Sequence, residues 1–438
     1  MSSPLPKKLR KEALNLIRLA DKVISYRMDL MPEEAVEDIR RQREELEQML
    51  GSKDQPPRQE TVEKAMGRLD KIMKKHGGDI YPVTFINENV EMLLVAAILA
   101  IGIRTFFLQP FKIPTNSMYP TYAGMTEKVY SIDGPGPNAI EKLWHTIRLG
   151  ATHIDEQSPT DGEVIVPVNI GSDELGPRAI VPFEVFEGRK WFGILPAVKW
   201  RYRLWIEGQY VAIEVPIDFH LDDVIRQTYF PEYETLYDAY AAAKAKGQII
   251  RNGGGGQAIA TGKQVKKGQN VIDFDIDTGD MLFVDRFSYN FVRPKVGSPI
   301  VFRTQKIPGL NDKAGNPAEQ YYIKRLVGVP GDTLEVKEST LYRNDAPIAG
   351  ADAFDKNAQE IDGYAGYKPM WRLRPGQTDT VPDGYVYAMG DNSPESYDSR
   401  GWGFNKPGEN LNYVPETEVI GRAFFIFYPF TSRWGPAE

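Results

Sequence analysis

The first 80 or so residues have apolar side chains spaced three or four positions apart, which is typical of amphipathic helices. One predicted helix carries the apolar stripe Leu9, Ala13, Leu16, Ile17, Ala20 and Ile24. A second helix is predicted from near Pro32 to Gly51, and a third is predicted to end at Gly77, because proline favours a first turn and glycine ends a last one. We interpret the region as a solvated helical bundle or coiled coil in preference to a specific partner-binding device.

The next segment, residues 90–108, is almost entirely apolar. Its centre, residues 92–103, has no polar side chain, and Glu91 and Arg104 can extend towards lipid headgroups. Nineteen residues are close to the roughly 20 that a helix needs to cross a bilayer. We therefore predict one membrane span in preference to a buried core helix. A removable signal peptide is disfavoured because the run begins about 90 residues into the chain.

After the apolar segment, short runs rich in Val, Ile, Phe and Tyr alternate with Gly, Pro and Asp, which predicts β-strands. The predicted strands are residues 164–168, 210–215, 281–289, 300–304, 321–329, 333–336, 384–389 and 419–428. One Ala-rich exception, residues 233–246, has a helical pattern. The expected fold class is therefore a mainly β domain preceded by an α-helical region and one transmembrane helix.

Composition adds exclusions to this picture. Hydrophobic residues make up 42% and charged residues 26% of the 438, as in globular proteins, and one short span barely changes such averages. The net charge of −7 provides no basic field for nucleic acid. The absence of cysteine excludes disulfides, thiolate metal sites and cysteine nucleophiles.

Two groups of candidate metal ligands lack the required spacing. Asp273, Asp275 and Asp277 resemble the start of a calcium loop, but the glycine and the distal glutamate of such a loop are missing, and alternation with apolar residues favours a half-exposed strand. The four histidines stand singly: His76, His145, His153 and His220. The sequence therefore suggests neither a metal site nor a histidine-based triad.

A serine and a lysine remain as candidate chemistry. Ser117 lies in a Thr-Asn-Ser-Met turn between Pro114 and Pro120, which holds it on a stiff loop directly after the apolar segment. A serine hydroxyl needs a base, and a lysine can serve if burial lowers its pKa from about 10.4 towards 7 or 8. Lys324 lies within an apolar strand that would desolvate it.

The sequence resembles bacterial type I signal peptidase (leader peptidase), a family of membrane-anchored Ser-Lys endopeptidases. Four blocks carry the resemblance in the family's order: residues 113–121, residues 279–289 with 297–302, residues 322–332 and residues 390–400. A lone Ser-Met-Tyr-Pro would be a weak signal. The four blocks together, with an apolar segment just upstream, form a specific one.

The resemblance implies a role for each matching residue. Ser117 corresponds to the nucleophile, Lys324 to the general base, Thr115 to the hydroxyl that joins the Ser117 N–H in the oxyanion hole, and Ser396 to the serine that orients the lysine. The positions that line pockets for small substrate residues are Phe111, Ile113, Met118, Tyr322 and Ile323. The positions that hold the last block in shape are Asp391, Asp398 and Arg400.

The resemblance also implies an organisation and a setting. Residues 1–85 would form a cytoplasmic helical region, 86–109 the anchor, and 110–122 with 279–438 the peptidase core outside the bacterial cytoplasmic membrane. Its partners would be secretory preproteins with small residues before the cut and the lipid bilayer, without nucleic acid. No metal or organic cofactor is needed. The oligomeric state is left open.

Three departures from the family's pattern stand out. Asn116 replaces a frequent glycine, residues 393–395 (Ser-Pro-Glu) replace a more polar stretch, and residues 123–278 form a large insertion. The insertion contains a basic and aromatic run at residues 199–205, for which we favour an ordinary β subdomain over a membrane-surface or preprotein-docking module.

Two alternatives to a signal peptidase are also considered. One is a catalytically silent membrane-tethered scaffold, and the other is a soluble Ser-Lys protease of the self-cleaving regulator type. Retention of Ser117, Lys324, Thr115 and Ser396 argues against the scaffold, and the apolar segment argues against the soluble regulator.

Overall fold

The structure is a computed structural model that describes residues 5–52, 57–190, 195–251, 256–311, 316–317, 319–406, 408 and 410–437. It divides into two compact units, Met1–Gly102 and Ile103–Glu438. The first unit is helical and the second is rich in strands, as the sequence predicts. The expected fold class is therefore confirmed.

Helices account for most of the first unit. They are α1 (Lys7–Arg27), α2 (Glu33–Gly51), α3 (Gln59–His76) and α4 (Phe85–Phe106), of which α4 continues into the second unit. Helices α1 to α3 share one apolar core, whose buried members include Ala13, Ile39 and Leu69. Pro32 precedes α2 and Gly77 follows α3, so both predicted boundaries are confirmed.

Helix α4 contains a stretch long and apolar enough to cross a membrane. This stretch is Asn89–Phe106, with a mean hydropathy of 1.7, and none of it is buried inside the protein. Leu94, Ile98 and Ile101 are each more than half exposed. A core helix of a soluble protein buries such side chains, so the buried-helix alternative is not what the structure has. Leu108, which the apolar run included, begins a strand instead.

The second unit begins with the strands and helices of the insertion and its flanks. In chain order they are β1 (Leu108–Lys112), β2 (Thr126–Val129), α5 (Ala139–Leu149), β3 (Thr152–Gln157), β4 (Gly162–Asp173), β5 (Gly176–Ile180), β6 (Phe183–Lys190), β7 (Leu195–Ile206), β8 (Gln209–Pro216), α6 (Asp222–Tyr229), α7 (Leu236–Ala245), β9 (Ile249–Arg251), β10 (Gln257–Val265) and β11 (Asn270–Asp277). Helix α7 is the predicted Ala-rich helix, whereas α5 and α6 were not predicted. Asn138 before α5 and Gly150 after it are cap signals that could have revealed this helix.

The elements that follow the insertion are again mostly strands. They are β12 (Met281–Asp285), β13 (Pro299–Arg303), β14 (Tyr321–Gly328), β15 (Thr333–Lys337), β16 (Thr340–Arg343), β17 (Ala346–Pro347), α8 (Asp352–Gln359), β18 (Asp379–Thr380), β19 (Tyr385–Met389), β20 (Val414–Pro415), β21 (Val419–Tyr428) and β22 (Gly435–Pro436). The strand predicted at 281–289 ends early, because Ser288–Asn290 form a 3-10 turn that the Asp285 carboxylate caps.

Strand pairing separates the insertion from its surroundings. An eight-stranded antiparallel sheet has the order β1-β12-β21-β13-β14-β19-β20, with β22 on β21. The insertion contains the sheets β6-β7-β4-β10-β9 and β2-β11-β3, with β5 on β4 and β8 on β7. Because β1 is at the edge of its sheet, one side of its backbone is open to an added strand.

The basic and aromatic run of the insertion lies in β7. Arg201 and Lys199 pair with Glu214 on β8, and Arg203 pairs with Glu184 on β6. Trp200 is buried and stacks on Phe183 with ring centroids 4.0 Å apart. The run therefore uses its charges within the sheet, as an ordinary amphipathic strand does.

Strand β11 corrects one expectation. It is buried on both faces, so Asp273 and Asp275 are inside the protein and the strand is not half exposed. The Asp275 carboxylate faces Nδ1 of both His145, at 2.8 Å, and His153, at 2.7 Å, and accepts a hydrogen bond from the Tyr130 hydroxyl. Residues that stand singly in the sequence are thus brought together, His153 by the pairing of β3 with β11 and His145 from α5.

Candidate active site

Ser117 and Lys324 meet in the interior of the second unit. Ser117 lies in the 3-10 turn Asn116–Met118 that follows β1, and Lys324 is in the middle of β14. The Lys324 ammonium Nζ donates a hydrogen bond to the Ser117 hydroxyl Oγ. Ser117 is 8% exposed and Lys324 is 4% exposed. The fold thus brings together two side chains whose types the sequence singled out.

Burial changes the acidity of this lysine. It lowers the pKa of the Lys324 ammonium to about 8, because a charged group loses hydration inside the protein. The carboxylates of Asp398 and Asp391 act in the opposite direction, and the Arg400 guanidinium adds to the lowering. A base in this range has a useful neutral fraction at physiological pH.

Hydrogen bonds fix the turn that carries Ser117. The Asn116 side chain accepts from the Gly124 N–H at 2.8 Å and donates to the Met125 carbonyl at 3.2 Å. Asn392 donates from its backbone N–H to the Ser117 carbonyl and from its side chain to the Asn116 carbonyl, each at 3.1 Å. Asn116 thus closes the turn with its side chain, which is what a glycine there could not do.

The chain on both sides of the turn is held by the start of the 279–289 block. The Asp280 carboxylate is buried, accepts from the Ala123 N–H at 2.8 Å and pairs with Arg433 at 2.9 Å. The Ile113 N–H donates to the Asp280 carbonyl. A Cβ at Gly279 would come within 1.8 Å of the Ile113 carbonyl oxygen, so this contact requires glycine. Sequence reasoning gave Asp280 and Arg433 no role.

A buried ion pair lies directly behind the lysine. Arg325 donates from Nε to one oxygen of Asp391 at 2.7 Å and from Nη2 to the other at 2.6 Å. Arg325 is 3% exposed and the Asp391 side chain is fully buried. Thr121 also donates to Asp391, which ties the pair to the segment after Ser117. Arg325 was missed, although its place beside Lys324 in the third block was a signal.

A second buried pair shapes the last block. Arg400 donates from Nε and Nη2 to the two oxygens of Asp398, at 2.9 and 2.8 Å. Burial acts to raise the pKa of the Asp398 carboxyl, but the charge and hydrogen bonds of Arg400, together with the Gly390 N–H and the Lys324 charge, hold the pKa below its ordinary value. Asp398 also accepts from the Gly390 N–H. A Cβ at Gly390 would approach the Ser117 carbonyl oxygen to 2.3 Å, so the block lies against the serine turn.

The two remaining hydroxyl residues differ in their contacts. Thr115 Oγ1 donates to Ser117 Oγ at 3.5 Å. Ser396 is buried, but its Oγ has no hydrogen-bond partner among the described residues. The expected bond between Ser396 and Lys324 is therefore not formed in this structure, where the ammonium is directed at Ser117.

An open cleft of about 490 Å³ lies over Ser117 and Lys324. Of the predicted pocket residues, Phe111, Ile113, Tyr322 and Ile323 line it. Met118 does not, because it is fully buried in the core below, where it packs in one cluster with Ile113 and Leu282. Leu282 and Val301 line the apolar floor in its place. Sequence reasoning missed both, since neither lies next to Ser117 or Lys324 in the chain.

Comparison with known proteins identifies the class. The family model described as "Signal peptidase, peptidase S26" matches residues 265–428. A probable signal peptidase I-1 from Synechocystis sp. is 36% identical over 160 residues, which are 36% of this chain and 67% of the relative. The chain belongs to the type I signal peptidase family. It is accordingly a hydrolase of that family.

Other members of the signal peptidase family match over a similar part of the chain. Signal peptidase I from Pseudomonas aeruginosa is 32% identical over 184 residues, which cover 35% of this chain and 60% of the relative. A solved signal peptidase I from Enterococcus faecalis matches 30% of this chain and 97% of that one at 24% identity, with a TM-score of 0.20. The family model includes Lys324 and the last block but begins after Ser117 and after most of the insertion.

Proposed function

We propose that this protein is a membrane-anchored serine endopeptidase that cleaves signal peptides from exported preproteins, with Ser117 as nucleophile and Lys324 as general base. The observation that carries the proposal is the buried contact between the Lys324 ammonium and the Ser117 hydroxyl. Membership of the signal peptidase family supports the same reaction class.

The proposed reaction has two halves. Neutral Lys324 takes the proton of Ser117 as its Oγ attacks the scissile carbonyl, and the resulting ammonium protonates the leaving amine. Water then attacks the acyl ester on Ser117 with Lys324 again as base. The Ser117 N–H and the Thr115 hydroxyl would stabilise the oxyanion, a contribution of roughly 3 to 4 kcal/mol per donor. Loss of hydration makes Lys324 suitable, since its pKa is lowered to about 8.

The cleft supports specificity for small residues. An extended peptide can add along the open edge of β1 and place alternate side chains towards the apolar floor of Ile113, Leu282 and Ile323. Small residues one and three positions before the cut would then occupy this floor. Larger side chains would collide with it, a difference of about 1 to 3 kcal/mol per added group.

Helix α4 supports the anchor. Its exposed apolar side chains require a non-aqueous surrounding, and Ser117 comes only 11 residues after the helix ends at Phe106. We propose that α4 crosses the cytoplasmic membrane once, with residues 1–85 inside the cell and the eight-stranded sheet that carries Lys324 outside the membrane. Cleavage would then occur close to the bilayer surface.

The test uses the full chain in detergent and a preprotein with an Ala-x-Ala site. We expect wild-type protein to release the signal peptide after the second alanine, as read by mass spectrometry, and Ser117→Ala and Lys324→Ala to lose at least a thousandfold in rate. Ser131→Ala, which removes an exposed serine hydroxyl from the insertion, should keep full activity. Wild-type processing by either dyad variant would contradict the assignment.

The anchor is tested separately by carbonate extraction of membranes. We expect the wild-type chain and Ser117→Ala to stay in the membrane fraction equally. Release of both into the supernatant would favour the soluble regulator-type protease, and membrane retention without any processing by the wild type would favour the silent scaffold.

A further inference from the structure

The active-site cleft is lined in part by the insertion. Asp218, in the loop between β8 and α6, lines the cleft together with Ser117 and Lys324. Its backbone has a φ of 67°, in the left-handed region that residues other than glycine rarely adopt. The insertion therefore reaches the reaction centre through a loop held in an unusual conformation.

Two ion pairs join the insertion to chain segments that follow Lys324. Arg374 donates to both carboxylate oxygens of Glu174, at 2.6 and 3.1 Å, in the turn between β4 and β5. Arg178 on β5 lies 3.8 Å from Glu395, two residues before Tyr397 at the cleft. These contacts show that the insertion lies beside the segments that form the cleft.

The cleft has an uneven distribution of charge. Besides Lys324, the charged side chains that line it are Lys112, Asp218 and Glu395. Lys112 belongs to β1, whereas Asp218 belongs to the insertion and Glu395 to the last block. The pKa of Tyr322 is raised by burial and then by the negative charge of Asp218, which indicates that this carboxylate is close to the strand of Lys324.

Asp218 is available to a ligand. No hydrogen bond or ion pair joins its carboxylate to another side chain in the described part of the chain. Burial raises the pKa of both the Asp218 and the Glu395 carboxyl above their ordinary values, since each has lost part of its hydration. A partly desolvated, unpaired carboxylate is stabilised when a cation is placed beside it.

The direction of substrate side chains relates Asp218 to specificity. In an extended peptide, successive side chains point to opposite sides. If the residues one and three positions before the cut face the apolar floor, the residue between them points away from the floor, towards the rest of the cleft lining, which includes Asp218. The substrate can therefore vary at this middle residue without changing the two side chains that occupy the small-residue pockets.

We propose that Asp218 makes this enzyme prefer preproteins with lysine or arginine between the two small residues that precede the cut. The inference rests on the proposed function. Glu395 contributes less, because Arg178 lies close to it. Both carboxylates stand where this chain departs from the family's pattern, so the preference is a property of this chain.

The test compares three peptides that differ only in the middle residue of Ala-x-Ala, which is Lys, Gln or Glu. We expect the wild type to cleave the Lys peptide about fivefold faster than the Glu peptide in kcat/KM, as one exposed charge contact allows. Asp218→Asn should bring the ratio close to one, and Asp218→Lys should invert it. Raising the salt concentration should reduce the wild-type ratio, because the contact is solvent-accessible.

Controls separate this inference from the proposed function. Glu234→Gln removes an exposed carboxylate of the insertion that does not line the cleft, so it should keep the wild-type ratio. An unchanged Lys-to-Glu ratio in Asp218→Lys would overturn the inference while leaving the dyad intact. Cleavage of the Gln peptide by Ser117→Ala, or its resistance to the wild type, would instead overturn the proposed function.

Discussion

Ion pairs around Ser117 and Lys324 and ion pairs in the insertion differ in burial. Arg325 with Asp391 and Arg400 with Asp398 are almost completely removed from solvent. Arg201 and its partner Glu214 each keep about a third of their side-chain exposure. A buried pair is costly to separate, whereas an exposed pair contributes little to stability. The buried pairs therefore fix the segments around Ser117 and Lys324. The exposed pairs add little to a sheet that is stabilised by its packed apolar side chains.

Lys324, unlike the buried arginines, has no carboxylate partner among the residues that the structure describes. No carboxylate in the described part of the chain lies within ion-pair distance of its ammonium, and its partner is the Ser117 hydroxyl. The nearby carboxylates of Asp391 and Asp398 are already paired with arginines. This difference leaves the lysine with a lowered pKa and the arginines with structural contacts only.

The largest effect is expected from breaking the buried pair beside the lysine. Arg325→Met leaves the Asp391 carboxylate buried without its cation, so we expect a loss of about 3 to 5 kcal/mol in the free energy of unfolding. Urea denaturation of the detergent-solubilised protein measures this loss. The double variant Arg325→Met/Asp391→Leu should recover part of it, because no charge then remains uncompensated.

A matched control uses a less buried pair in the same sheet. Arg422 lies 3.5 Å from Asp285 and is half exposed. Arg422→Met should cost about 1 kcal/mol or less. Equal losses for Arg325→Met and Arg422→Met would show that burial does not distinguish the two kinds of pair.

An intermediate effect is expected from pH. Because burial lowers the pKa of Lys324 to about 8, kcat/KM should fall about tenfold per pH unit below 8 and level off above it. For stability the sign follows from proton binding. Between about 8 and 10.5 the unfolded chain binds the proton and the folded chain does not, so the lysine's penalty shrinks as pH rises through this window.

The pH profile has clear contrary outcomes. Lys356→Met, which changes an exposed lysine on α8, should keep the same midpoint as the wild type. A midpoint near 10.5 would mean that the base is a hydrated lysine, and one near 6.5 would assign the titration to a histidine. Either result would show that a buried Lys324 with a lowered pKa is not the base.

Local pattern was enough to predict the N-terminal helices and to single out Ser117 and Lys324, which the structure places in contact. Pro32 and Gly77 mark helix ends by backbone chemistry that acts within one turn. Ser117 and Lys324 follow from residue type, neighbours and the family's order of blocks. Strand β21 has the predicted bounds because Val, Ile and aromatic residues dominate it on both sides of Gly421 and Arg422.

Long-range contacts were beyond such reasoning. Arg325 pairs with Asp391, 66 positions away. Asp218 lines the same cleft as Lys324, which lies about a hundred residues later in the chain. Met118 looks like a pocket residue next to Ser117, yet the 3-10 turn directs it into the core. His145 on α5 and His153 on β3 converge on Asp275 of β11, a contact between a helix and two paired strands that no local pattern reveals.

The smallest effect is expected in the insertion, at the pair of Arg201 with Glu214. The two atoms lie 2.7 Å apart, but both side chains contact solvent, which screens their attraction. Glu214→Gln should therefore lower the free energy of unfolding by less than about 1 kcal/mol, and by still less at high salt. Urea denaturation at two salt concentrations measures both quantities. A loss as large as that of Arg325→Met would mean that the charges of β7 hold the insertion together, and that its core of buried Leu204, Ile206 and Ile213 does not suffice.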